Sequence, residues 1–138
     1  MNREKFEKHL APDAPESLAL FQQLNRLWHR LRDCLNQSHP RTLPLGDYII
    51  DRWEKADALG FGKGTSIYDS ALVLGEVTVG DNTWIGPHTI LDGSGGLTIG
   101  DYVSVSAGVQ LYSHDTVNWS HSGGQEPTVY APTAIGSR

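Results

Sequence analysis

Acid–base chemistry at neutral pH needs a group that can take and return a proton. The best placed one in this chain is His114, in the run Gly108-Val109-Gln110-Leu111-Tyr112-Ser113-His114-Asp115. Imidazole titrates near neutrality, so it can serve as general base toward a hydroxyl without special burial. Two carboxylates could fix its tautomer by accepting a hydrogen bond from the far ring nitrogen: Asp115, its chain neighbour, and Asp92, further back. Ser113 is not set up as a nucleophile for His114, because side chains of adjacent strand residues diverge. No covalent intermediate on Ser113 is therefore expected. Trp119, Trp84, Tyr112, Asn118, Tyr130 and His121 offer the aromatic faces and polar tips that line sugar pockets, although Trp84 would serve equally well at a subunit contact.

What must position these residues is a repeat. From Ile67 an aliphatic side chain recurs every six positions, at Val73, Val79, Ile85 and Leu91, and then at Ile99, Val105 and Leu111 after two extra residues. Small or β-branched residues follow four positions later at Ala71, Val77, Thr83, Thr89, Val103 and Val109. Neither the helical period of about 3.6 nor simple strand alternation gives this spacing. A short strand and a sharp corner do, with Gly80, Gly86, Gly100 and Gly136 supplying the backbone freedom of the corner. Three units close one coil of about eighteen residues, and coils stack as parallel strands.

On that register Ile67, Ile85 and Val105 share one face, Val73, Leu91 and Leu111 a second, and Val79, Ile99 and Ile135 a third. The register holds only if two residues bulge out between Leu91 and Ile99 and eighteen leave the repeat between Thr116 and Ile135. Both interruptions then fall on one edge. That sets the bulge Asp92-Gly93-Ser94-Gly95-Gly96 roughly 4.8 Å, one strand spacing, from the turn of His114. Gly95 and Gly96 are expected to leave open space beneath the loop, so that Gly95→Leu would cost little stability.

The segments Val79-Gly80-Asp81-Asn82-Thr83-Trp84-Ile85-Gly86-Pro87 and Leu97-Thr98-Ile99-Gly100-Asp101 resemble the hexapeptide-repeat acyltransferases, and the resemblance runs from Ser66 to Arg138. It implies a mainly β fold, a left-handed parallel β-helix preceded by an N-terminal α-helical segment. The left hand is the family's, since parallel crossovers are otherwise overwhelmingly right-handed. On this reading 1–64 is a helical segment and linker, and 65–138 is the acyltransferase domain with a projecting loop over 112–134. The resemblance further implies acetyl-CoA as acyl donor, a saccharide or polysaccharide precursor as acceptor, a backbone N–H holding the oxyanion, and a homotrimer with sites between protomers. His114 falls at the family's catalytic histidine, at the root of the projecting loop. The γ-class carbonic anhydrases share that fold and bind zinc through three histidines. His88, His114 and His121 do not match their spacing, so no metal is expected. A non-catalytic structural or assembly module is the competing class. Family members continue for further coils that build much of the CoA groove, whereas this chain stops at Ile135-Gly136-Ser137-Arg138, as expected of a piece of a longer enzyme or of a naturally shortened form.

Composition narrows the alternatives. A formal net charge of -5 argues against a surface built to neutralise phosphates along a nucleic acid. The basic cluster Arg26, Arg30, Arg32 and Arg41 reads as helix solvation. The single cysteine, Cys34, excludes an internal disulfide and a thiolate metal cage. No stretch reaches the roughly 18 apolar residues that span a bilayer, and the charged N-terminus is not a secretory signal, so no membrane insertion and a cytoplasmic location are expected. Ahead of the repeat, Phe21, Leu24, Trp28, Leu31 and Leu35 predict a helix over 15–36, with Asp13 as N-cap. Two prolines and a glycine over 38–46 end it, and a further helix is expected from Asp47 to Ala58.

Overall fold

The computed structural model describes residues 2–10 and 15–138, so Asp13 lies outside the described residues. The chain forms two compact units, 1–48 and 49–138. In the first, α1 (Arg3–Leu10) precedes α2 (Pro15–Asn36), whose bounds are those expected from the apolar stripe. Pro15 suits the first helical position, where its missing N–H is not needed. The Phe6 and Phe21 rings stack with centroids 5.6 Å apart. After Pro40 the chain is pinned by the Tyr48 hydroxyl, which accepts from the Leu43 N–H at 2.9 Å.

Between Asp47 and Ala58 there are two short helices, α3 (Gly46–Ile49) and α4 (Arg52–Ala58), where one was expected. Asp51 is the reason. Its carboxylate accepts from the N–H groups of Trp53 and Glu54 at 2.8 and 3.1 Å and starts a new helix. Lys55 then ties α4 to the repeat, its ammonium donating to the carbonyls of Tyr68, Asp69 and Ala71 at 3.1, 2.8 and 3.3 Å.

The repeat supplies β1 (Ser66–Ile67), β2 (Leu72–Val79), β3 (Trp84–Ile85), β4 (Ile90–Ile99), β5 (Ser104–Val105) and β6 (Gln110–Leu111). The excursion adds β7 (His114–Asp115), α5 (Val117–His121) and β8 (Val129–Tyr130), and β9 (Thr133–Ile135) follows it. One parallel sheet has the order β1-β3-β5. A second has the order β2-β4-β6, with β9 also on β4, and β7 pairs antiparallel with β8. The stacking register is the anticipated one. Ile67 pairs with Ile85 and Ile85 with Val105; Val73 pairs with Leu91 and Leu91 with Leu111; Val79 pairs with Ile99 and Ile99 with Ile135. The two extra residues also lie where the spacing put them, since Gly75 pairs with Gly93 but Val77 with Leu97.

The expected fold class is corrected. Helix makes up 35% of the described residues and strand 25%, and the parallel strands do not coil into a solenoid, so this is a small α/β protein and not a mainly β left-handed β-helix. The physical reason is that β2 and β4 continue through the position of an expected corner, so the second and third stacks occupy one sheet instead of two separate faces.

Ile67, Ile85, Leu91, Leu97 and Ile99 form the centre of the core. Beside them two ladders of side-chain oxygens satisfy the corners. The Thr83 N–H donates to the Thr65 hydroxyl and the Val103 N–H to the Thr83 hydroxyl, at 3.0 and 3.1 Å. The N–H groups of Lys63 and Asp81 donate to the carboxylates of Asp81 and Asp101, both at 2.7 Å, and the Asp101 N–H donates to the Ser137 hydroxyl at 2.8 Å.

Candidate active site

Where the two interruptions meet, the bulge of β4 lies against the turn that leads into β7. The β4–β6 ladder ends at the Leu91–Leu111 pair, and the β4–β9 ladder starts at Leu97 and Thr133. The bulge residues between Leu91 and Leu97 therefore have no ladder partner on that side, and the turn of His114 fills the gap.

His114 Nδ1 lies 3.0 Å from Asp92 Oδ2, with the His114 side chain 30% exposed and that of Asp92 only 4%. Nδ1 itself is shut off from water, and the approach to Oδ2 is not well aligned for a hydrogen bond. Distance and charge nevertheless make Asp92 its partner, since among the described residues no other hydrogen-bond acceptor engages this nitrogen. Since the Nδ1 edge is shielded, the ring's exposed part is the opposite edge, which carries Nε2. Tyr112 stands edge-on to the imidazole at 5.7 Å between centroids, and Tyr130, paired with His114 across β7–β8, is tilted at 6.3 Å.

The other carboxylate oxygen of Asp92 accepts from the Ser94 N–H at 2.8 Å. That backbone bond is the main influence holding the Asp92 carboxyl below its usual value; burial pulls the other way, and the Ser94 hydroxyl and His114 add to the lowering. Asp92 is thus an anion at neutral pH, positioned to favour the tautomer that carries its proton on Nδ1.

Of the two carboxylates considered for this task, Asp92 is at the imidazole. Asp115 is engaged elsewhere, its carboxylate accepting from the Val117 N–H at 2.6 Å and starting α5. Tyr112 is beside His114, with its hydroxyl donating to Gln110 at 3.1 Å. Trp119 and Asn118 lie on α5, where Trp119 is 49% exposed and packs near Gly124. Trp84 is not brought to His114. It stands on the β1-β3-β5 sheet in a groove of about 650 Å³ with Asn82, Tyr102, Val103, Ser104 and Arg138.

Two site features differ from or escape the sequence reading. Gly95 does not border open space: a Cβ there would meet the Ser113 carbonyl oxygen at 2.3 Å and the Ala131 nitrogen at 2.7 Å, so the expectation of a cheap Gly95→Leu is overturned. Gly96 does face open space, with only the Pro132 Cβ at 4.0 Å. Ser113, set aside as a nucleophile, is 3% exposed and bonded to the bulge. Its position two residues after the inward Leu111 is the signal that marks it as inward-facing.

Among the described residues no three or more His, Cys, Asp or Glu side chains converge on a point where a metal could sit, His88, His114 and His121 included. No described helix is long and apolar enough to cross a membrane. No protein-family model matches the chain, and no curated protein matches it.

Proposed function

We propose that this protein transfers an acetyl group from acetyl-CoA to a saccharide hydroxyl, with His114 as general base and Asp92 as its orienting carboxylate. The observation that carries the reading is the buried Asp92 carboxylate 3.0 Å from Nδ1, on an imidazole that remains 30% exposed. His114 Nε2 takes the acceptor hydroxyl proton as the oxygen attacks the thioester carbonyl. When the tetrahedral intermediate collapses and the C–S bond breaks, the imidazolium gives that proton to the departing CoA thiolate. Asp92 stabilises the imidazolium between the two steps and stays ionised. Tyr112 and Tyr130 flank the ring and supply apolar faces against which a pyranose can stack. The reading retains the resemblance to hexapeptide-repeat acyltransferases in the residues around His114, together with a cytoplasmic location and a homotrimer.

The test is to incubate the protein with acetyl-CoA and a panel of sugars while assaying free thiol. Sugar-dependent thiol release that is lost in His114→Ala is expected. Sugar-dependent release equal in parent and His114→Ala would remove His114 from the mechanism, and no release with any sugar would favour the structural-module reading.

A further inference from the structure

Ser113 precedes the imidazole by one residue and points the opposite way, into the protein. Its hydroxyl donates to the Asp92 carbonyl oxygen at 2.7 Å and accepts from the Gly95 N–H at 2.8 Å. Its own carbonyl accepts from the Ala131 N–H at 3.0 Å. One residue thus grips the bulge at two points, on the turn that carries the base, and also holds the returning chain. A hydroxyl that donates its single proton to one backbone group and accepts from another is fully engaged within the protein.

The ladder around it explains why such a grip is needed. Pairing of β4 with β6 and β9 lapses between Leu91 and Leu97, while β2 holds Asp92 and Gly93 from the other side, so no backbone ladder fixes the distance from the bulge to the turn of His114. The Ser94 N–H holds the Asp92 carboxylate, but Ser94 belongs to the same bulge and moves with it. Beyond the Leu91–Leu111 pair, Ser113 supplies the side-chain hydrogen bonds that, among the described residues, tie the backbone of Asp92 and Gly95 to the segment bearing the imidazole. The groups facing the imidazole are Asp92 from β4, Tyr112 from the turn after β6 and Tyr130 from β8, and the Asp115 carboxylate is engaged by the Val117 N–H. Asp92 is therefore the group that decides which ring nitrogen carries the proton.

We infer that Ser113 is the positioning residue of the Asp92–His114 pair, setting the carboxylate against Nδ1 by holding the backbone of Asp92 and Gly95. Its effect on rate rests on the acetyl-transfer reading; its effect on the imidazole does not. The ¹⁵N NMR signals of His114, at a pH where the ring is neutral, report the tautomer directly. The parent should show one tautomer, with the proton on Nδ1. Ser113→Ala should show a mixture, with kcat lowered about 10- to 100-fold and KM near that of the parent, since a small misplacement of a base acts on the chemical step. Ser113→Thr keeps the hydroxyl and should restore the single tautomer. Ser113→Cys, whose thiol is a weak donor, should behave like Ser113→Ala and carries the test if the alanine variant does not fold.

A single Nδ1–H tautomer in a folded Ser113→Ala or Ser113→Cys protein would overturn the inference. A mixed tautomer in a chain whose parent transfers no acetyl group would keep Ser113 in its role and sink the reaction instead. Unchanged tautomers in an active parent series would do the reverse.

Discussion

Replacing Gly95 with alanine adds one methyl group where the structure has no room for it. The new Cβ would lie 2.3 Å from the Ser113 carbonyl oxygen and 2.7 Å from the Ala131 nitrogen, and both obstacles are backbone. An ordinary contact needs about 1 Å more, so either the bulge or the turn of His114 must move by that amount. Such a shift stretches the Gly95 N–H to Ser113 bond and the Ala131 N–H to Ser113 bond, now 2.8 and 3.0 Å. Overpacking costs about 1–3 kcal/mol, and a weakened buried hydrogen bond about 1 kcal/mol more, which gives a loss of roughly 3 kcal/mol. For a unit the size of 49–138 that lowers Tm by roughly 12–24 °C. The assay is thermal unfolding followed by circular dichroism, with Gly136→Ala as control, because nothing lies within 4 Å of a Cβ at Gly136. The control should stay within about 0.5 kcal/mol of the parent. A Gly95→Ala protein that melts with the control would show that the close wedge between bulge and loop does not exist.

Three other outcomes are expected. His114→Ala should lower acetyl transfer by about 10²- to 10⁴-fold while leaving the melting curve near that of the parent, as checked by thiol assay and calorimetry. The Asp92 carboxyl titrates below the ordinary aspartate value of about 3.9, so its contribution to stability is complete above that value and is lost as the pH falls through the depressed folded value. The stability gap between the parent and Asp92→Asn, measured by urea unfolding, should therefore narrow as the pH is taken below about 4; a gap that widens toward acid would contradict the assignment. Lys55→Met removes a part-buried ammonium from three carbonyls and should destabilise unit 49–138 by about 1–3 kcal/mol in the same unfolding experiment.

The parts of the site that could be counted along the chain were legible. The inward positions Ile67, Ile85 and Val105 follow from spacing alone, and counting the extra residues between Leu91 and Ile99 brings Asp92 beside His114. What counting cannot give is side-chain direction. Asp92 and Asp115 are equivalent on paper, and the choice between them rests on the Val117 N–H that engages Asp115. Gly95 was misread because a missing side chain marks either open space or backbone in close contact, and only the fold tells them apart. The fold class went wrong for a different reason. A six-residue period specifies which strands stack, but not whether β2 bends at its expected corner or runs straight through from Leu72 to Val79.

The two oxygen ladders beside the core give the repeat a polarity along the chain. In the carboxylate ladder an earlier backbone N–H waits for a later side chain: Lys63 for Asp81, Asp81 for Asp101, Asp101 for Ser137. In the threonine ladder a later N–H finds an oxygen already in place, Thr83 on Thr65 and Val103 on Thr83. Each repeat is thus received by the hydroxyl before it and closes the donor that its predecessor left open. Assembly from the N-terminal side leaves one pending donor at a time, at the growing end, whereas a start in the middle would leave unmatched groups at both ends.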